Sequence, residues 1–430
     1  RQDPNLNHNH TKFINIASGS ALLKPMATGL NPGFAVANLP RDIMHSWFVA
    51  KEYSPILPVA WAQQAMDIGK VMKDVIFRKG RVEDYSRQGG SMELLTQQGQ
   101  LKKTPWKPRT RLSESVQQLQ KILGWAGETS ELLTRIALRE RAIKNGKSPQ
   151  EATWIARNYI DFAQGGSWTK AANNAIPYLN AGVQGTRGIF RAFKEDPKIA
   201  SFKVAQILSL GAGLAYWNRQ VNEECWDEVS ERDKVSNFII TTPFKRKDED
   251  GNTRHVYFKI PKDQGQRIFA TIGEELSEMS QTGKANFDKL QHSLKDFIPV
   301  DIGIMPPSLS ALWGYVFNKD FWRNEDIWKG RKKSSPKKEY WNSTPVVWKV
   351  FGEKTGLSPE RSRRAFNKVL PKNMYTYLME GFVGQMMSTM SGEEKEEISK
   401  PFLRELNRIP MARRLVGETY PRSKQREDLT

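Results

Sequence analysis

Apolar positions along the chain recur mostly at helical spacing. Ala152, Ile155, Ala156, Tyr159 and Phe162 fall on one side of a 3.6-residue turn. Ser148-Pro149-Gln150-Glu151 precedes them and supplies an N-cap, a proline at the first helical position and a capping-box glutamate. Gly165-Gly166 stops the run. The same punctuation starts helices at Asp196-Pro197, at Ser358-Pro359-Glu360 (ending before Pro371) and at Ser391–Glu394. Further helices are predicted over 40–50, 58–78, 112–144, 177–194, 263–281 and 372–387. Gly124 and Gly127 predict a break within 112–144.

One segment changes character. Phe238–Thr242 and His255–Ile260 are rich in β-formers and are bounded by Pro243 and Pro261. The polar run between them holds Asp250-Gly251, a hairpin signal. An isolated hairpin is marginal in water, so this one should dock on helices or pair with another chain. The expected fold class is mainly α, an irregular multi-helix assembly with one small β-hairpin. Residues 1–30 read as a leader, 31–110 as an N-terminal helical segment with a basic loop, and 111–235 as a central helical core. Residues 236–262 form the hairpin and 263–430 a C-terminal helical segment. The polar stretch after Arg1 suggests a piece of something longer.

Val204–Asn218 is uncharged but shorter than the roughly 20 residues that span a bilayer. It is expected to be a core helix buried in protein. Ala205, Ser209 and Gly213 recur every four residues, a spacing that admits a second helix closely.

Composition adds three constraints. The 430 residues are 38% hydrophobic before 31 glycines are counted, ordinary for a globular chain. A lone cysteine, Cys225, excludes an intrachain disulfide or a cysteine metal site and fits a reducing interior. The net charge of +19 is the strongest signal. A surplus that large repels itself and calls for an anionic partner, nucleic acid first and anionic membrane second.

No catalytic pattern emerges. The five histidines stand in no HExxH or nucleophile-elbow context, and no phosphate-binding glycine loop is present. No catalytic residue, metal or cofactor is expected. Binding features are stronger. Lys102, Lys103, Lys107, Arg109 and Arg111 surround Trp106. Arg331, Lys332, Lys333, Lys337 and Lys338 lie near Trp328 and Trp341. Arg361, Arg363 and Arg364 start a helix, where their charge opposes the dipole and a phosphate would relieve the conflict. Arg413 and Arg414 add a fourth group. Basic loops carrying aromatics suit sequence-neutral contact with double-stranded DNA. Most of the 13 tryptophans are expected to fill cores, and some to serve interfaces.

Several ordered elements carry a resemblance. Asn31-Pro32-Gly33-Phe34 leads to Asn38, Arg41 and Asp42. Arg141-Ala142, Gly146, Ser148 and Glu151-Ala152 lead to Asp161-Phe162 and Gly165-Gly166. Pro177-Tyr178-Leu179-Asn180-Ala181 precedes Gln184-Gly185, with a tyrosine where phenylalanine is usual. Ile260-Pro261-Lys262, Asn318–Phe321, Thr344-Pro345 and Gly356–Pro359 follow. Together they resemble the large polyvalent-protein-associated domain of phage internal virion (ejection) proteins and polyvalent proteins. Arg41, Asp42, Asp161, Phe162, Pro177, Asn180 and Gln184 would be its structural motif residues. The resemblance implies a virion-interior protein delivered with the genome. It implies a homo-oligomer, contact with the portal or other ejection proteins, and contact with the host envelope after ejection. It supplies no catalytic residue. The alternatives are an accessory domain of a larger delivered enzyme and a capsid or tail scaffold without DNA contact.

Overall fold

Three of the helix starts read from the sequence are capped as expected. In a computed structural model of the chain, Ser148 Oγ accepts from the Glu151 N–H (3.2 Å), Asp196 Oδ1 from that of Ile199 (3.0 Å) and Ser358 Oγ from that of Arg361 (3.3 Å). The structure describes residues 8–20, 23, 32–90, 111–159, 175, 179–247, 253–286, 289–291, 293–294, 305–321, 325–330, 335–341, 344–370 and 414–419. For 8–12, 32, 111–124, 126, 179–182, 184 and 325 it describes the backbone alone.

The helices are α1 (His8–Ala17), α2 (Pro32–Val49), α3 (Leu57–Phe77), α4 (Arg81–Arg87), α5 (Arg111–Lys144), α6 (Pro149–Asn158) and α7 (Leu179–Glu195). They continue as α8 (Pro197–Glu228), α9 (Glu231–Ser236), α10 (Arg267–Thr282), α11 (Pro307–Phe317), α12 (Val346–Thr355) and α13 (Pro359–Val369). Strands β1 (Asn237–Lys247), β2 (Thr253–Pro261) and β5 (Val416–Glu418) form an antiparallel sheet in the order β1-β2-β5. Strands β3 (Lys319–Asp320) and β4 (Glu325–Asp326) form a short ribbon. The fold is mainly α, as the periodicity implied.

Several boundaries differ from the expectation. Helix α2 starts eight residues before Pro40, which sits inside it and costs one backbone hydrogen bond. Helix α5 runs unbroken through Gly124 and Gly127, because an interior glycine costs only about 1 kcal/mol. Strand β1 passes Pro243 through a bulge between Thr241 and Lys245, where a missing N–H is tolerated. The hairpin turn at Asp250-Gly251 and the helices expected over 372–387 and from Ser391 lie outside the described residues.

The main core joins α2, α3, α5, α7, α8, β1 and α10 through Trp47, Phe48, Leu57, Leu138, Ile189, Ile207, Phe238 and Ala270. A second core packs α3, α4 and α5 around Val71, Val75, Tyr85 and Ile136. A third seats the hairpin on α8 through Cys225, Trp226, Ile239 and Tyr257.

Two close approaches fix this arrangement. A Cβ on Gly211 of α8 would stand 2.3 Å from the Ala270 carbonyl oxygen, and one on Gly273 of α10 would stand 2.1 Å from that of Leu208. The two backbones therefore cross in contact, each glycine making room for the other helix. Asn218 of α8 then acts as a neighbouring strand for β1. Its amide donates to the Ile239 carbonyl (2.8 Å) and its Oδ1 accepts from the Thr241 N–H (2.8 Å). The docked hairpin gains a third strand, β5, which the sequence reading lacked. Gly417 permits it, since a Cβ there would stand 2.2 Å from the Tyr257 ring.

Lys203, just before the apolar run on α8, is buried and caps the C-terminus of α2. Its ammonium donates to the carbonyls of Trp47, Phe48 and Ala50 at 2.6, 3.2 and 3.3 Å. Burial lowers its pKa to about 8.

Candidate functional site

The cationic residues singled out from the sequence have different fates. Lys102, Lys103, Trp106, Lys107 and Arg109, with Arg331, Lys332, Lys333 and Arg413, lie outside the described residues, and of Arg111 only the backbone is described. Lys337 and Lys338 are exposed on a short 3-10 turn. Arg361, Arg363 and Arg364 are corrected by the structure. Their conflict with the dipole of α13 is relieved by carboxylates of the chain itself. Arg361 pairs with buried Glu339 (2.9 Å), Arg363 with Glu360 (3.6 Å) and Arg364 with buried Asp320, which Lys368 also holds (2.9 Å). Burial pushes the Asp320 carboxyl up, yet Lys368 and Arg364 outweigh it and hold it at about 2. Replacing all three arginines by glutamine is expected to cost about 2 kcal/mol of stability, because buried acceptors lose their donors. DNA affinity should change little. Urea unfolding and a DNA titration on the same variant check both.

Of the motif residues, Arg41 and Asp42 enter a buried polar cluster between α2, α5 and α10. Asn38 Nδ2 donates to Asp42 (2.7 Å), and burial, with Glu131 nearby, pushes the Asp42 carboxyl well up. Arg135 donates to Glu131 (2.8 Å) and to the Arg157 carbonyl (3.1 Å), beneath the Tyr159 ring. His45 Nδ1 faces Asp263 at 3.4 Å, the relation found in catalytic histidine–carboxylate dyads. Here, though, the ring packs on α7, where a Cβ on Gly188 would stand 3.3 Å from His45 Nε2. The nitrogen opposite the carboxylate, Nε2, is buried against α7. Asp161, Phe162 and Pro177 lie outside the described residues, and the side chains of Asn180 and Gln184 are not described.

One group has metal-ligand composition. Oxygens of Glu224 and Glu228 on α8 and His255 Nε2 on β2 lie within 4.8 Å of one another. Hydrogen bonding argues against an ion. Asn222 Oδ1 accepts from the Cys225 N–H (3.0 Å), which fixes the amide orientation. Its NH2 then meets the Thr242 carbonyl (2.9 Å) and His255 Nδ1 (3.2 Å). Nδ1 is thus the acceptor, and Nε2 carries the proton that a metal would have to displace. Lys245 already sits 3.1 Å from Glu224. The group does something else: the hydroxyl of Thr419, just after β5, donates to Glu228 (2.7 Å) and accepts from the His255 N–H (3.0 Å), while the Thr419 N–H donates to the His255 carbonyl (2.9 Å). The set ties the third strand to α8. Cys225 is buried beside it, and burial pushes its thiol up to about 12, so it is a poor nucleophile.

The surface differs most from expectation. Helix α8 is 32 residues long, the one helix among the described residues with the length and composition to cross a membrane. Only 28% of its most apolar window is buried. Residues 204–218 are therefore not enclosed in protein. Ala200, Lys203, Ile207, Gly211, Ala215 and Asn218 face inward, while Phe202, Ala205, Ser209, Gly213, Tyr216 and Trp217 are exposed. The tryptophans follow suit. Trp47, Trp226 and Trp328 are buried, whereas Trp61, Trp125, Trp154, Trp217, Trp313 and Trp341 are exposed. Core filling is thus the minority role among the described tryptophans. Exposed aromatics on this scale mark contact surfaces.

Residues 223–403 match the family model of large polyvalent protein associated domain 38, the kind of domain that the sequence motifs resemble. The match runs from the last turns of α8 through the hairpin, α10 and α13, and leaves the Arg41–Asp42 and Pro177–Gln184 elements outside it. No curated protein and no solved structure matches the chain.

Proposed function

We propose that this chain is a non-enzymatic, DNA-associated part of a phage internal virion (ejection) protein, packaged in the particle and delivered with the genome. The supporting observation is how charge is distributed. Most described carboxylates are paired with cations of the chain, some of them in buried pairs such as Asp67–Arg141, Glu274–Lys262, Glu275–Lys289 and Glu278–Arg219. Exposed Lys144, Arg187, Lys194, Lys198, Lys337 and Lys338 have no carboxylate within ion-pair distance among the described residues. The positive surplus therefore faces outward, where a polyanion can neutralise it. The polyvalent domain supports the delivered role. The exposed stripe of Ala205, Ser209 and Gly213 on α8 supports assembly of copies with one another and with portal or other ejection proteins.

Binding to double-stranded DNA should be sequence-neutral and steeply salt-dependent. Neutralising about six phosphates would give a log–log slope near −5. Fluorescence anisotropy on two unrelated duplexes across a salt series measures this. Undetectable or salt-independent binding would favour a scaffold without DNA contact.

A further inference from the structure

Helix α3 is apolar on both sides. Leu57, Ala60, Ile68, Val71 and Val75 are buried against the rest of the fold. The opposite arc carries Val59, Trp61, Met66, Met72, Ile76 and Phe77, each between 37% and 64% exposed. Exposed Ala62, Ala65 and Gly69 lie between them. At 100° per residue these positions cover well over a third of the helix circumference.

Charge on this helix is sorted. Its two carboxylates are engaged elsewhere: Asp67 accepts from Arg141 Nε (2.7 Å) and Asp74 from Arg81 (2.7 Å). The outer arc has exposed Lys70 and Lys73, and Lys79 follows its end. None has a carboxylate within ion-pair distance among the described residues. The outer surface of α3 thus combines six large apolar side chains with cations and no anion.

That combination selects a partner. Duplex DNA would use the lysines but leave the apolar residues in water. A protein interface would bury the apolar residues but disfavours lysine at its centre. An anionic lipid surface takes both: side chains enter the acyl boundary, and lysines extend along their stems to the headgroups. Helix α8 has the longer apolar run, but its exposed stretch ends in Glu223, Glu224 and Asp227, which an anionic surface repels.

We propose that the outer arc of α3 is a docking surface for an anionic lipid bilayer, with the helix lying in the interfacial plane. The inference uses α3 alone and holds whether or not the chain binds DNA.

The test uses the full chain and sedimentation with phosphatidylcholine vesicles, with and without phosphatidylglycerol. The chain is expected to bind the anionic vesicles and to leave the neutral ones largely unbound. Lys70→Gln with Lys73→Gln should weaken binding by about fivefold per lysine. Met66→Glu with Phe77→Glu should weaken it at least tenfold, with the melting curve unchanged because both sites are exposed. As a check independent of those variants, Met72→Cys carrying a polarity-sensitive dye should shift to the blue on anionic vesicles; Cys225 is buried and escapes labelling. Unchanged vesicle binding in both double variants overturns the proposal, as does an unshifted dye. It also fails if Met66→Glu with Phe77→Glu dissociates an oligomer or lowers DNA affinity while vesicle binding persists, since the arc then serves copies of the chain or nucleic acid.

Discussion

Gly273→Ala is expected to destabilise the fold by about 3 kcal/mol, and Gly211→Ala nearly as much. A single methyl at either site meets backbone, not a side chain that can rotate away. At Gly273 the new carbon would stand 2.1 Å from the Leu208 oxygen and 2.9 Å from its carbonyl carbon, so α8 and α10 would have to separate along their contact. Gly213, two residues from Gly211, provides the contrast. A Cβ there meets nothing within 4 Å, so Gly213→Ala should be neutral or gain up to about 1 kcal/mol of helix propensity. Urea unfolding of the three variants measures the difference. Equal effects at Gly213 and Gly273 would contradict the crossing.

Lys262→Met is expected to cost about 3–5 kcal/mol near pH 8, and distinctly less near pH 5. Lys262 and Glu274 are both almost fully buried, 2.6 Å apart, and the lysine also donates to the Lys234 carbonyl at 2.7 Å. Burial pushes the Glu274 carboxyl up to about 7 even with Lys262 pulling it down. Without the lysine it rises further. A carboxyl raised in the folded state holds its proton more tightly there than in the unfolded chain, where it titrates near 4.5. Its effect on stability is therefore most favourable below that value. Stability is lost as pH rises through 4.5 towards the folded value, by at most about 1.4 kcal/mol per pH unit. Lys262→Met with Glu274→Met should recover most of the loss, since the stranded charge is gone. A deficit independent of pH, or a double variant as weak as the single one, would contradict this account of the pair.

The sequence reading succeeded where signals are local. The caps at Ser148, Asp196 and Ser358 need only the next three residues, and the structure repeats them. The hairpin was legible for the same reason, as was the need for something to cover it. Prolines and glycines misled when taken as boundaries. Pro40, Gly124, Gly127 and Pro243 all lie within elements, because packing offsets a cost of one hydrogen bond or about 1 kcal/mol.

Charge was legible in total but not in place. Arg361, Arg363 and Arg364 read as a phosphate cradle because the sequence does not say that Glu339 and Asp320 fold against them. Lys203 caps a helix more than 150 residues earlier, a partner that no local pattern indicates. The Glu224, Glu228 and His255 group had no motif, since its members come from a helix and a strand on opposite sides of a chain reversal. The exposed apolar arc of α3 was hidden because its inner and outer positions are equally apolar, and periodicity cannot tell them apart.

Composition and short-range pattern determined that the chain is helical, where several helices begin, that one hairpin interrupts them, and that positive charge is in excess. The folded chain alone decided which cations are spent inside, which glycines meet a second backbone, and which apolar faces stay in water. The reason is range. Capping and turn formation act across three or four residues, whereas ion pairing and close packing act through space, between residues as far apart in the chain as Lys203 and Trp47.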